Sequence, residues 1–155
     1  MSDAVPAVSD TPSVGGGASS VATLDSLDRT VAGIRQGAID TLVRAIAGAP
    51  DSVSEVRLDE MIGDSVQTWY YGGLTVDFVE HRADGIICRR PGCATGRSVR
   101  VGDPAASVSA AYGPGTPHRG DDGEAVVYRD ENNCGMSFDL AEGRVAAIRV
   151  FCDHS

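Results

Sequence analysis

The chain has 155 residues, 42% of them hydrophobic, and 22 acidic against 13 basic residues give it a formal charge of -9. Such a length supports about one domain with a real core, and no apolar run approaches the roughly 18 residues that a membrane-spanning helix needs. The charge excludes nucleic acid and anionic membrane surfaces as recruiting partners, since both would repel it, and favours a protein with a basic face.

Residues 1–23 are Ser, Gly, Ala, Pro and Val around Gly15-Gly16-Gly17, with neither the basic start nor the continuous apolar stretch of a secretory signal. This composition buries too little apolar surface to offset the entropy of ordering, so a disordered tail or linker is expected. Residues 24–155 read as a single domain. Leu24, Leu27, Val31 and Ile34 have helical spacing, which predicts a helix over 24–35 despite Gly33. A second helix, from about Ala38 to Ala47, ends at Gly48-Ala49-Pro50. Strands follow at Gln67 to Tyr71 and from Leu74, where Leu74, Val76 and Phe78 alternate with Thr75, Asp77 and Val79, and a third follows Gly85.

The pattern is then written again. Thr30, Arg35, Gly37, Val43, Ala45 and Gly48 fall on Thr95, Arg100, Gly102, Val108, Ala110 and Gly113, and Gly73-Leu74-Thr75-Val76-Asp77-Phe78 falls on Gly135-Met136-Ser137-Phe138-Asp139-Leu140. In the second copy Asp103 suits a helix N-cap and Pro104 the first helical position, with the helix running to about Ala111. Strands are expected at Ala125 to Arg129, at Met136 to Leu140 and from Val145 to Cys152, and Gly113 to Glu124 reads as a long polar loop. The expected fold class is therefore α+β. Two tandem repeats, about 30–90 and 95–152, would each be a helix followed by a three-stranded antiparallel meander, forming about six strands with helices packed on one face.

Cys88, Cys93, Cys134 and Cys152 make an even number. With a turn near Gly143, Leu140 faces Ala146, Phe138 faces Ile148, Met136 faces Val150 and Cys134 faces Cys152, close enough for a bridge. Cys88 and Cys93 enclose the turn-forming Arg89-Arg90-Pro91-Gly92 and can be bridged across it. Two disulfides point to an extracytoplasmic setting, secreted, periplasmic or tethered to the envelope, with the signal segment absent from this chain. The alternative is a zinc site using the same four cysteines.

Chemistry-bearing constellations are sparse. His81, His118 and His154 are scattered, and the acidic pairs read as solubilising charge, so no catalytic residue, metal or cofactor is expected. Trp69-Tyr70-Tyr71 is the densest aromatic run; Trp69 and Tyr71 share one strand face and Tyr70 takes the other, so one side is core and the other a contact surface. His118, Arg119 and Asp121 sit in the polar loop, where Arg119-Gly120-Asp121 spells a tripeptide that some adhesion receptors bind. The binding candidates are Trp69, Tyr70, Tyr71, His118, Arg119 and Asp121.

The doubled Thr-x-x-Gly-Ile-x-x-Gly, helix, Gly-Pro, Tyr strand, Gly-Leu/Met strand and Gly-x-Val strand resembles modules of bacterial envelope proteins, over about residues 30 to 152. It is similar to the beta-lactamase inhibitory protein and to small outer-membrane lipoproteins of the SmpA/OmlA type. Gly37-Ala38-Ile39 and Gly102-Asp103-Pro104 stand where the inhibitor has Gly-Met-Thr, and no inhibitory residue transfers. The resemblance is specific for fold more than for activity; the chain as a whole reads as a non-enzymatic module that binds a protein, an inhibitor being one form of it, and the alternative is a small secreted hydrolase or a zinc-binding protein using the four cysteines.

Overall fold

The computed structural model describes residues 29–120 and 123–152. The tail 1–23, residues 24–28 of the expected first helix, Asp121 and His154 lie outside the described residues. In chain order the elements are β1 (Thr30–Val31), β2 (Ile34–Arg35), α1 (Asp40–Ala47), β3 (Ser52–Val53), β4 (Arg57–Asp59), β5 (Asp64–Tyr71), β6 (Leu74–Val79), β7 (Arg82–Cys88), α2 (Ala105–Tyr112), β8 (Thr116–Gly120), β9 (Gly123–Arg129), β10 (Cys134–Ala141) and β11 (Arg144–Cys152).

Strands dominate, and nine of the eleven described run as one antiparallel sheet in the order β3-β5-β6-β7-β11-β10-β9-β8, with β4 pairing β5 beside β3, while β1 and β2 pair with each other as a separate hairpin. This overturns the expectation of two helix-plus-meander repeats of about six strands with helices packed on one face. The helices have only eight residues each. The strands do not separate into two units, because β7 pairs β11 through Ile148 opposite Cys88, Arg149 opposite Ile87 and Val150 opposite Ile86. Strands also form where none is expected. Thr116–Gly120, read from sequence as loop, is an edge strand paired to β9, and its Pro117 is tolerated because an edge strand leaves one side without ladder bonds.

The helix predicted over 24–35 is also corrected in its described part. Ala32 and Gly33 both have positive φ, 57° and 80°, the two-residue turn that closes the β1–β2 hairpin and that no helix accommodates. The second and third helices end where glycine was expected to stop them, at Gly48 and Gly113 with φ 84° and 77°. Their starts move by one or two residues: Pro104 occupies the N-cap, and the Asp103 carboxylate accepts from the Arg100 amide instead of capping.

Alternation through the ladders sorts the strand residues into two faces. One row runs Trp69, Val76, Ile86, Val150, Met136 and Tyr128, and all six are buried. This inner face is covered by the β1–β2 hairpin through Val31 and Ile34, by Val43 of α1, by Val108 and Tyr112 of α2, and by Val99 of the long connection between β7 and α2. Tyr112, Tyr128 and Phe138 form the aromatic centre, with ring centroids 5.5 to 6.1 Å apart. Burying each such side chain stabilises by about 1.5–3 kcal/mol. The polar ends are satisfied: Tyr112 donates to Thr95 Oγ1 at 2.9 Å and Tyr128 to the Gly113 carbonyl at 2.8 Å. Burial raises the Tyr128 phenol above its ordinary value, with Tyr112 adding to the effect.

The opposite row runs Tyr70, Thr75, Ile87, Arg149, Ser137, Val127 and Thr116 from one edge of the sheet to the other. Its side chains are half-buried or exposed except Ser137. The β6–β7 turn is unusual in that Glu80 and His81 both have positive φ, 49° and 69°, without being glycine. Left-handed backbone costs an L-residue roughly 1–2 kcal/mol, so Glu80→Gly should raise stability by about 1 kcal/mol. A urea midpoint no higher than that of the parent would contradict this.

Candidate functional site

Three surfaces come into question. The first is the aromatic run. Trp69 is 6% exposed, packs on Phe78 with ring centroids 4.5 Å apart, and lies under the Arg44 guanidinium at 5.5 Å. Its Nε1 donates to Gln67 Oε1 at 3.2 Å. Tyr71 donates to the Gly48 carbonyl at 2.8 Å, tying the sheet to the end of α1. Burial raises its phenol while Arg44 and Arg90 pull the other way. Trp69 and Tyr71 therefore belong to the core side of β5, whereas Tyr70 is 45% exposed beside β3, opposite Ser52.

The second surface lies at the same sheet edge but on the opposite face from Tyr70, and was not foreseen from sequence. Leu42 and Ile46 of α1, with Ile39 at its N-cap, form a stripe at helical spacing that remains 43–49% exposed, while Val43 is the buried residue of the helix. Beyond the helix, Val53, Val56, Leu58 and Met61 are 51–75% exposed. Val53 faces Trp69 and Leu58 faces Ser65 in the β5 ladder, so both project on the side of the sheet where α1 sits. The segment is held in shape. The Ser54 amide donates to the Thr68 carbonyl, the Ser54 hydroxyl accepts from the Thr68 amide, and Asp59 Oδ1 accepts from the amides of Met61 and Ile62. Around the apolar residues stand Asp51, Glu55, Asp59, Glu60 and Asp64, against Arg57 alone among residues 51–64. A sequence signal existed, since residues 51–64 interleave apolar and acidic positions, but short strands with a break between them give no sustained period.

The third surface is a hollow of about 430 Å³ at the opposite end of the outer face, over Ser137, Asp139, Arg149, Ala125, Val127 and His118. Arg149 Nε donates to Asp139 Oδ2 at 3.0 Å, and both side chains are about one-third exposed. Arg119 is paired with Glu124 on the rim. The structure thus separates the sequence candidates: Tyr70 lies near one edge, His118 and Arg119 near the other, and Trp69 and Tyr71 beneath the sheet.

The cysteines form two disulfides, Cys88–Cys93 and Cys134–Cys152, so none offers a thiolate to zinc. His81 contacts Asp40 at 3.0 Å on the surface. Among the described residues, no group of three His, Cys, Asp or Glu side chains converges on a point where a metal ion could sit, and no helix is long and apolar enough to cross a membrane.

A single antiparallel sheet with one covered face, two disulfides and polar-rimmed surfaces at both edges defines the protein in structural terms. No family model matches the sequence, and no curated protein matches it either. Solved structures match it at low sequence identity. An extracellular protein containing an SCP domain from Bacillus anthracis matches 77% of this chain at a TM-score of 0.56 and 8% identity. A cysteine-rich secretory protein from Staphylococcus aureus matches 76% at a TM-score of 0.46 and 9% identity. The chain spans 44% of the length of each of these proteins.

Proposed function

We propose that the chain is a non-enzymatic protein-interaction module that works outside the cytoplasm and engages a partner with a basic, partly apolar face. The observation that carries this reading is the run of exposed apolar side chains Val53, Val56, Leu58 and Met61 set among acidic residues, the last two 72% and 75% exposed. Several exposed apolar side chains clustered in one short segment and flanked by charged residues mark a contact site. Its rim and the net charge of -9 select a basic partner and speed encounter at low salt. Tyr70, opposite Ser52 of β3, adds on the other face of the same sheet edge an amphipathic aromatic side chain of the kind enriched in interface hot spots. The two disulfides support an oxidising compartment, and the Bacillus anthracis protein of similar fold is itself described as extracellular. An envelope module of the kind the sequence pattern resembles, secreted or tethered, is the proposed setting.

Trp69 is the only tryptophan and lies opposite Val53, so its emission reports on this edge. A nine-residue peptide of alternating lysine and leucine should change that emission on binding, and an otherwise equal lysine and serine peptide should not. The double variant Leu58→Ser, Met61→Ser should bind the first peptide at least about tenfold more weakly, with binding in the parent falling as salt rises. Equal binding by parent and variant would remove this surface from the proposal. A parent that elutes as a dimer and a variant that elutes as a monomer would replace the basic partner with a second copy of the chain.

A further inference from the structure

Ser137 stands out on the outer face. It lies in the middle of β10, is 7% exposed, and lines the hollow of about 430 Å³, yet its hydroxyl makes no hydrogen bond among the described residues. Folded proteins rarely bury a hydroxyl without a partner, and such groups call for an explanation. The neighbours on the ladder supply one. Arg149 lies directly opposite Ser137, and Asp139 lies two residues along the same strand, on the same face. Asp139 engages only the Nε of Arg149, through Oδ2, so Nη1, Nη2 and Oδ1 have no partner among the described residues. The floor is cut low by Ala125 and by the small side chain of Ser137 itself, and His118, opposite Ala125 in β8, stands at the far wall.

We propose that this hollow binds a small carboxylate that carries a hydroxyl or amino group on the adjacent carbon. The two terminal nitrogens of Arg149 form a planar fork that matches the two oxygens of a carboxylate. Asp139 Oδ1 accepts from the neighbouring hydroxyl or ammonium, and Ser137 Oγ gains a partner where it has none among the described residues. The arrangement discriminates. A bare carboxylate engages Arg149 but brings no donor to Asp139 Oδ1, whereas a ligand with an adjacent donor satisfies both members of the ion pair. The hollow lies within the 300–1,000 Å³ range of small-molecule sites, with a few polar groups converging on one place. It is separate from the acidic-rimmed edge at β3 and β4, and it stands whether or not that edge binds a protein.

The test is a titration of ¹⁵N-labelled full chain at neutral pH with glycine, L-lactate and acetate. Glycine and lactate should shift the amides of Ser137, Asp139 and Arg149, and acetate should bind about tenfold more weakly. Ser137→Ala should weaken glycine and lactate about tenfold while leaving the thermal midpoint unchanged or raised, because the hydroxyl it removes has no partner among the described residues. Arg149→Lys, which keeps the charge but loses the fork, should weaken both ligands as well. Three results would each overturn the proposal: no shift with either glycine or lactate, binding by Ser137→Ala equal to that of the parent, or a midpoint lowered by several degrees in Ser137→Ala. The last would show the hydroxyl to be a structural group.

Discussion

Gly135→Ala should prevent the chain from reaching its folded state or destabilise it by at least about 4 kcal/mol, the range in which single substitutions are exceptional. Gly135 is the second residue of β10 and lies opposite Arg129 of β9. A Cβ there would sit 2.0 Å from the Tyr128 carbonyl oxygen and 3.0 Å from the Arg129 Cα, so it would meet backbone and not a side chain able to turn away. The strands must part or shift register, and a shift of one residue would move Met136 and Phe138 out of the core. Gly143→Ala is the control. That position has φ 77° but nothing within 4 Å of a Cβ, so only the local backbone is strained, at about 1 kcal/mol. Urea unfolding of the two variants separates the mechanisms; similar midpoints would mean that β9 and β10 part without loss.

Much of the local structure was legible because it depends on nearest neighbours. The alternation of Leu74, Val76 and Phe78 marks β6, and the parity argument that sets Cys134 opposite Cys152 and Phe138 opposite Ile148 holds in the sheet. One pair fails. Leu140 lies opposite Val145, because a bulge between Asp139 and Leu140 shifts the register near the turn, and bulges leave little trace in an apolar pattern. The global arrangement was not legible. Whether β7 joins β11 depends on contacts between residues 86–88 and 148–150, about sixty positions apart, and internal sequence similarity cannot show whether two meanders merge into one sheet. The helix expected over 24–35 fails at Ala32 and Gly33, where turn geometry prevails over apolar spacing.

The candidate surfaces were legible to different degrees. The exposure of Tyr70 follows from strand alternation once the covered face is known, but the sequence gives no way to tell which face that is. The exposure of Leu42 and Ile46 depends on α1 burying little beyond Val43, which is a packing outcome. Ser137 has no sequence signature at all. A serine between Met136 and Phe138 reads as an ordinary solvent-facing position, and only the covering of the outer face by Arg149 and its neighbours makes the hydroxyl a buried one.

Removing the Cys134–Cys152 bridge with Cys134→Ala, Cys152→Ala should lower stability by about 3 kcal/mol, the loop-closure value for cysteines 18 residues apart. The shorter Cys88–Cys93 bridge, with a separation of five, should be worth about 2 kcal/mol when both its cysteines become alanine. In the parent, reduction should raise the intact mass by about 4 Da, two hydrogens for each bridge. The first bridge also belongs to a larger structure. Asp130 Oδ1 accepts from the amides of Asn132 and Cys134, its Oδ2 meets Arg29 Nη1 at 2.5 Å, and the two side chains are 7% and 17% exposed. Arg29 in turn holds Gln36, whose amide reaches Cys152 Sγ at 3.1 Å. Asp130→Ala should therefore cost about 3 kcal/mol, chiefly by leaving the Arg29 charge without its carboxylate. Because the bridge and the ion pair position the same turn, combining Asp130→Ala with the two cysteine changes should destabilise by less than the sum of the separate losses. Additive losses in urea unfolding would mean that the bridge and the ion pair act independently, and that the β1–β2 hairpin is anchored without help from the disulfide.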